Sequence, residues 1–173
     1  MLKGQKILLR PVEIEDIPLL AEWKNNRDDT ISLNSYKPVT ELQEEARYSL
    51  EQEDNRSYSF IIEAREEEAG YCGLQNIDWI SRRAEINILI TSENRQKGYG
   101  KEAIQLLLTF AFNDLNLHRI YLTCIYDNKS ALNLYKSTGF KDEGILRQHI
   151  YTDGRYEDMH LLGMLKEEWL KLL

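Results

Sequence analysis

Glu93-Asn-Arg95-Gln96-Lys97-Gly98-Tyr99-Gly100-Lys101-Glu-Ala103 (ENRQKGYGKEA) joins a predicted strand to the longest predicted helix, and its reading decides the fold. Two glycines stand one residue apart, behind a polar loop that carries Arg95 and Lys97. The first turn of a helix leaves backbone N–H groups without partners, and its dipole end is positive. A glycine-bearing loop at that point can therefore hold a phosphate. The residues around it decide which phosphate compound.

Three patterns compete. A nucleotide-binding loop of the form G-x-x-x-x-G-K-[ST] fails, because Gly98 and Gly100 are too close and Glu102 stands where a magnesium-binding hydroxyl is needed. The run Gly98 to Ala103 fits the dinucleotide fingerprint G-x-G-x-x-[GA] letter by letter. That fingerprint puts its first glycine in a tight turn at the strand end, whereas here the polar loop Ser92 to Lys97 intervenes. The rest of the chain also runs into an antiparallel hairpin rather than further βα units. The third pattern, Arg95-x-x-Gly98-x-Gly100, takes the arginine in. Glycine at both places lets a pyrophosphate approach bare backbone, with Arg95 and Lys97 adding charge at the rim.

The flanking chain gives the loop its setting. AEINILIT, Ala84 to Thr91, alternates as a strand, with Glu85, Asn87 and Leu89 on one face and Ala84, Ile86, Ile88 and Ile90 on the other. The helix after the loop is predicted over 98–115, buried along Ile104, Leu107, Leu108, Ala111 and Phe112. Upstream, Lys6 to Val12 reads as a strand and Glu13 to Asn25 as a helix with Pro18 near its start. Thr40 caps a second, polar helix with an apolar stripe at Leu42, Ala46 and Leu50. Ser57 to Glu63 and YCGLQNIDWI form a hairpin. Downstream come the strand His118 to Tyr126, a short helix capped by Asp127 or Asn128 and ended by Gly139, and two long strands joined at Thr152-Asp153-Gly154. The order β-α-α-β-β-β-α-β-α-β-β predicts one α+β domain over residues 1–173, with a mixed, mostly antiparallel sheet of about seven strands flanked by helices.

Composition removes other classes. Hydrophobic residues are 42% and charged residues 29% of the 173, too balanced for a disordered chain. A formal net charge of −7 argues against nucleic-acid binding and leaves room for a cationic substrate. Cys72 and Cys124 lie in apolar runs and read as buried reduced thiols, and with three scattered histidines they give no metal-binding spacing, so no metal is expected. No apolar run approaches the ~20 residues that span a bilayer, and no signal peptide is visible, so a cytoplasmic protein with no membrane partner is expected.

A second motif gives the glycine loop its meaning. Asn128 to Phe140 reads NKSALNLYKSTGF. Together, the [RQ]-x-x-G-x-[GA] loop opening a central helix, the strand after it, and this N-x-x-[SA]-x-x-x-Y-x-x-x-G-F helix resemble the GNAT superfamily of N-acetyltransferases. The resemblance covers most of the chain and is densest from Arg83 through Met164, where RRAEINILI, LNLHRIYL and DGRYEDMHLLGML look like the Rim-type and spermidine branches.

The resemblance implies a sheet that splays between its fourth and fifth strands, Ala84–Thr91 and His118–Tyr126. It implies acetyl-CoA as co-substrate, its pyrophosphate on the loop Arg95, Gln96, Lys97, Gly98, Tyr99, Gly100 and Lys101. The pantetheine arm would run into the splay along the strand that ends at Ile90. Asn128 matches a position that contacts the cofactor and also suits a helix cap; Asn133 is a further candidate of that kind. The implied reaction is direct attack of a neutral amine on the thioester, so a proton must leave the amine and the departing thiolate must be stabilised. Tyr135 matches the family's general acid. Glu85 is the candidate base, acting directly or through water, with an ion pair to Arg82, Arg83 or Arg119 as the competing reading.

Acceptor choice in this fold implicates Trp23 to Tyr36, Trp79, and Arg147 to Tyr156. Asp28, Asp29, Tyr36, Tyr151, Asp153 and Tyr156 suit a cationic amine or an ordinary solvated loop. A protein N-terminal amine, a polyamine, and an amino sugar or antibiotic all stay open. ISLNSYKPVT stands where the spermidine branch carries an aromatic-acidic segment, a departure that lowers the polyamine reading and favours the Rim-like acceptor class. A non-catalytic acyl-CoA sensor is the remaining alternative, and a homodimer is compatible with the resemblance.

Overall fold

The computed structural model describes residues 1–30 and 37–173. Eight strands of these residues share one sheet: β1 (Leu2–Lys3), β2 (Leu8–Pro11), β3 (Tyr58–Ala64), β4 (Glu67–Asp78), β5 (Arg83–Ile90), β6 (Arg119–Ile125), β7 (Lys141–Thr152) and β8 (Arg155–Leu165). Their spatial order is β1-β2-β3-β4-β5-β6-β8-β7, with the β5–β6 pair parallel and the others antiparallel. The short β1 adds one strand to the seven expected. Helices α1 (Ile17–Asn25), α2 (Arg27–Thr30) and α3 (Glu41–Glu53) precede β3, α4 (Tyr99–Thr109) and α5 (Lys129–Ser137) flank β6, and α6 (Lys166–Leu170) follows β8.

Alternation along the strands builds two layers of core. The larger joins Ile86 and Ile88 of β5, Ile120 and Leu122 of β6, and Ala103, Ile104, Leu107 and Leu108 of α4. The smaller joins Leu89 of β5 and Ile61 of β3 to Leu20 and Trp23 of α1. The sheet is therefore covered by α1 on one face and by α4 with α5 on the other. Burying each such Leu or Ile stabilises the fold by about 1.5–3 kcal/mol. After Thr109 the long helix widens into a π-helical turn, Phe110–Asp114, where the Leu115 N–H donates to the Phe110 carbonyl at 3.0 Å.

Local signals held where side chains meet their own backbone. Thr40 Oγ1 accepts the Gln43 N–H at 3.2 Å while Gln43 Oε1 accepts the Thr40 N–H at 2.9 Å, a capping box. Asn128 Oδ1 accepts the Ala131 N–H at 3.0 Å. Asp153 and Gly154, at φ 50° and 82°, make the hairpin tip. Cys72 and Cys124 are buried and unbridged.

The expected apolar stripe of α3 is overturned. Leu42 and Leu50 are 75% and 67% exposed, and Glu44 is buried instead. Lys24 Nζ of α1 donates to Glu44 Oε2 at 2.6 Å, and Arg47 Nη2 reaches the same oxygen at 2.8 Å. The Lys24 ammonium also lies 5.5 Å from the centre of the Tyr71 ring. The surface beneath α3 thus presents a cation, and a paired carboxylate answers it better than leucine.

Candidate active site

β5 and β6 are joined only at the register pairs Arg83–Arg119, Ala84–Ile120 and Glu85–Tyr121. Beyond Glu85, β5 stays paired with β4 as far as Ile90, and β6 stays paired with β8 as far as Ile125. The two strands part between them, leaving the β6-side backbone groups of Asn87 to Ile90 without a ladder partner. Such an edge is able to pair with amides of a bound molecule.

A cavity of about 370 Å³ occupies this parting on the α4 and α5 face. Ile88 and Ile90 of β5, Thr123 and Cys124 of β6, and Leu134 and Tyr135 of α5 form its apolar depth. Asn94, Arg95, Gln96, Gly98, Tyr99, Gly100 and Lys101 form its polar mouth, with Asn128, Ser130 and Ala131 opposite. Gln96 and Gly98, at φ 63° and 87°, fold the loop back over the start of α4. A Cβ at Gly98 would fill open space, with only Lys6 Nζ nearby at 3.5 Å. Helical pairing begins at Glu102, whose N–H donates to the Gly98 carbonyl at 3.3 Å, so the preceding N–H groups of the first turn are left for a ligand. This bare cradle fits a pyrophosphate, and the apolar depth behind it fits a pantetheine arm.

The predicted residues divide. Ile90, Arg95, Gln96, Gly98, Tyr99, Gly100, Lys101, Asn128 and Tyr135 all line the one cavity. Lys97 is exposed, with its Nζ on Asn94 Oδ1 at 2.8 Å, and Asn133 is exposed on the far side of α5; neither is in the cavity wall. Arg95 lines the mouth, but its guanidinium turns back. Nη2 donates to the Asp28 carbonyl at 2.5 Å and Nε to the Ile90 carbonyl at 3.3 Å. Three carbonyls and a buried carboxylate lie on that side of the loop, and they hold the cation there. Sequence reasoning missed Asn94, Ser130 and the wall residues Thr123, Cys124 and Leu134. The last three carried only a period-two or helical apolar signal, which a buried core gives equally.

Tyr135 is held as a phenol. Burial, and secondarily the neighbouring Cys124, push its pKa far above the ordinary tyrosine value. Its ring meets Phe140 edge-on at 6.0 Å, which fixes its orientation. Burial also lifts the Cys124 thiol to about 11, so it stays protonated at neutral pH.

Glu85 lies on the opposite face of β5 from Ile88 and Ile90, half-buried where the strands part. Its expected arginine partners are engaged elsewhere: Arg83 with Asp78, Arg119 with Glu143, and Arg82 with the Asn116 carbonyl. Instead Asn76 Nδ2 donates to Glu85 Oε2 at 2.9 Å. Asn76, at φ 54°, sits in the register irregularity of β4, and that bulge aims its amide at the carboxylate. On the same face Asn87 Nδ2 donates to Gln75 Oε1 at 2.9 Å, while Asn87 Oδ1 is buried without a partner among the described residues. The cavity with Tyr135 and the polar patch with Glu85 therefore approach the parting from opposite faces of the sheet.

The acceptor-side expectations are corrected in part. Asp29 is buried, and Asp153 pairs with Arg27, so neither is a free surface acid. Tyr36 lies outside the described residues. Tyr151 and Tyr156 stack edge-on at the hairpin tip, 56% and 64% exposed. Trp79 Nε1 donates to the Asn55 carbonyl at 3.1 Å. Among the described residues no helix is long and apolar enough to cross a membrane, and no group of three His, Cys, Asp or Glu side chains is placed to hold a metal ion.

Comparison with known proteins adds to this geometry. The family model described as an acetyltransferase (GNAT) domain matches residues 6–141. The spermidine N(1)-acetyltransferase of Vibrio cholerae is 32% identical over 169 residues, covering 96% of this chain and 97% of its own. The crystal structure of the spermidine N-acetyltransferase from Vibrio cholerae in complex with CoA and spermine matches with a TM-score of 0.91 at 30% identity, covering 96% of this chain and 99% of that one. A dodecameric structure of the Vibrio enzyme matches at 0.87 and 31%, covering 98% of this chain and 99% of that one. A putative ribosomal N-acetyltransferase of Bacillus subtilis is 33% identical over 100 residues, covering 58% of this chain and 55% of its own.

Proposed function

The chain belongs to the GNAT acetyltransferase family and is an N-acetyltransferase, and on that footing we propose that it acetylates a polyamine of the spermidine kind from acetyl-CoA held in the β5–β6 parting. The observation that carries the acceptor class is the end-to-end similarity to a spermidine enzyme in sequence and in three dimensions. This reverses the Rim-like preference drawn from ISLNSYKPVT. The ribosomal-type relative matches over little more than half the chain, whereas the spermidine relative matches over 96% of it. A carboxylate with no arginine partner, Glu85, on the acceptor face of an acidic protein also suits a cationic amine.

The roles follow from the geometry. The N–H groups at Tyr99, Gly100 and Lys101 and the positive end of α4 would hold the pyrophosphate, and the Gly98 surface leaves it room. The unpaired edge of β5 up to Ile90 would pair with the pantetheine amides, and Asn128 would border the arm while capping α5. When bound, acetyl-CoA supplies an acetyl group already activated as a thioester. Glu85 takes a proton from the acceptor ammonium, directly or through water, and Asn76 keeps its carboxylate in place. Tyr135 keeps a proton on its hydroxyl at neutral pH, available to the sulfur side of the cavity. As in the dodecameric relative, copies of the chain are proposed to assemble, and the long, exposed edge strand β7 suits such a contact.

An acceptor screen with acetyl-CoA and thiol release as readout tests the proposal. Spermidine or spermine should exceed peptides, amino sugars and aminoglycosides in kcat/KM by about a hundredfold. A peptide with a free N-terminus turning over faster than either polyamine would restore the Rim-like reading.

A further inference from the structure

Asp29 is 3% exposed and lies under the glycine loop, not on the surface. Its Oδ1 accepts the Ser92 N–H at 2.6 Å, at the start of the 3₁₀ turn Ser92–Asn94 that leads into Arg95. Arg95 closes the contact from the other side. Its Nη2 donates to the Asp28 carbonyl at 2.5 Å and to the Asp29 carbonyl at 3.4 Å, and lies 3.9 Å from the Asp29 carboxylate. The single turn α2 is thus fastened to a loop more than sixty residues away in sequence by a backbone donor and a guanidinium, both given by the loop and both accepted by α2.

A buried carboxylate is costly unless its partners are fixed. Here the partners are Ser92 and Arg95, the first half of a loop whose second half turns through left-handed angles at Gln96 and Gly98 before α4 begins. Such a loop loses conformational freedom when a ligand orders it, and a tether that orders it beforehand removes that cost from binding.

We infer that Asp29 is a positioning residue for the pyrophosphate loop, acting through Ser92 and Arg95 without touching the cofactor; the inference rests on the acetyl-CoA reading of the cavity. It also accounts for Arg95 facing α2. The arginine serves the shape of the loop, and the phosphate charge is met by backbone and helix dipole.

Two variants break the same hydrogen bond from its two sides. Asp29→Ala removes the acceptor. Ser92→Pro removes the donor where proline fits, since Ser92 opens the turn and Thr91 before it is extended at φ −56° and ψ 148°. CoA binding is measured by calorimetry on the full chain, well below each variant's melting temperature. Each single variant should weaken CoA by about tenfold, as loss of a charge-assisted hydrogen bond does. The kcat at saturating acetyl-CoA should stay within about twofold of wild type, and the double variant should bind no worse than the weaker single. Wild-type CoA affinity in either folded single variant, or losses that multiply in the double, would overturn the inference. If Asp29→Ala does not fold, Ser92→Pro alone decides. Wild type is measured first: a wild-type chain that fails to bind CoA refutes the acetyl-CoA reading itself, a result distinct from variants that bind as wild type does.

Discussion

Glu85 on β5 and Tyr121 on β6 face each other in the last register pair before the two parallel strands separate. Burial raises the Tyr121 hydroxyl above its ordinary pKa, and the Glu85 charge adds to the rise. A carboxylate and a phenol therefore mark the vertex on the face proposed for the acceptor, while the phenol of Tyr135 lies in the cavity on the opposite face. The parting is the passage between the two, and each face can be tested separately.

Removing the Tyr135 hydroxyl tests the donor side. Tyr135→Phe keeps the ring against Phe140 and should lower kcat by about a hundredfold, the low end of what a positioned acid contributes. CoA affinity by calorimetry should stay within about twofold. An unchanged kcat would remove Tyr135 from the acid role, and would agree with a sensor that never uses it. Because burial holds the hydroxyl protonated, the wild-type rate should show no decline from tyrosine ionisation between about pH 7 and pH 9.

On the acceptor side the pH profile is the informative reading. Glu85→Gln preserves the bond from Asn76 but cannot take a proton. Its rate deficit should be greatest near pH 7, on the order of tenfold to a hundredfold, and should shrink as pH rises and more acceptor amine is already neutral. A profile parallel to wild type would reduce Glu85 to a binding group for the cation.

Acid sensitivity should trace to two carboxylates far from the chemistry. Burial raises Asp16 and Glu44, but Arg10 on the first, and Lys24 with Arg47 on the second, outweigh it and hold both below the usual range. Depressed carboxylates contribute stability that is complete above their unfolded pKa of about 4 and lost as pH falls through the folded value. Thermal melting should fall steeply below about pH 4. Glu44→Gln should lose about 2 kcal/mol at neutral pH, or ~4–8 °C of melting temperature, and show a shallower acid slope than wild type. Equal slopes would remove Glu44 from the titration.

What the sequence determined by itself was whatever is read within a turn or a strand of its own backbone. The Thr40 and Asn128 caps, the Asp153-Gly154 tip, the alternation of β5 and the glycines before α4 are local events, and their side chains answer to neighbours a few residues away. The cavity followed, because two motifs at opposite walls of the β5–β6 parting are each short and specific. Tertiary structure decided the rest. The inward turn of Glu44 depended on Lys24, the aim of Arg95 on carbonyls of α2, the burial of Asp29 on Ser92, and the freedom of Glu85 on arginines engaged elsewhere. Charged side chains are long and have partners far along the chain, so their direction is set by which opposite charge the fold brings within reach and how far water is excluded around it.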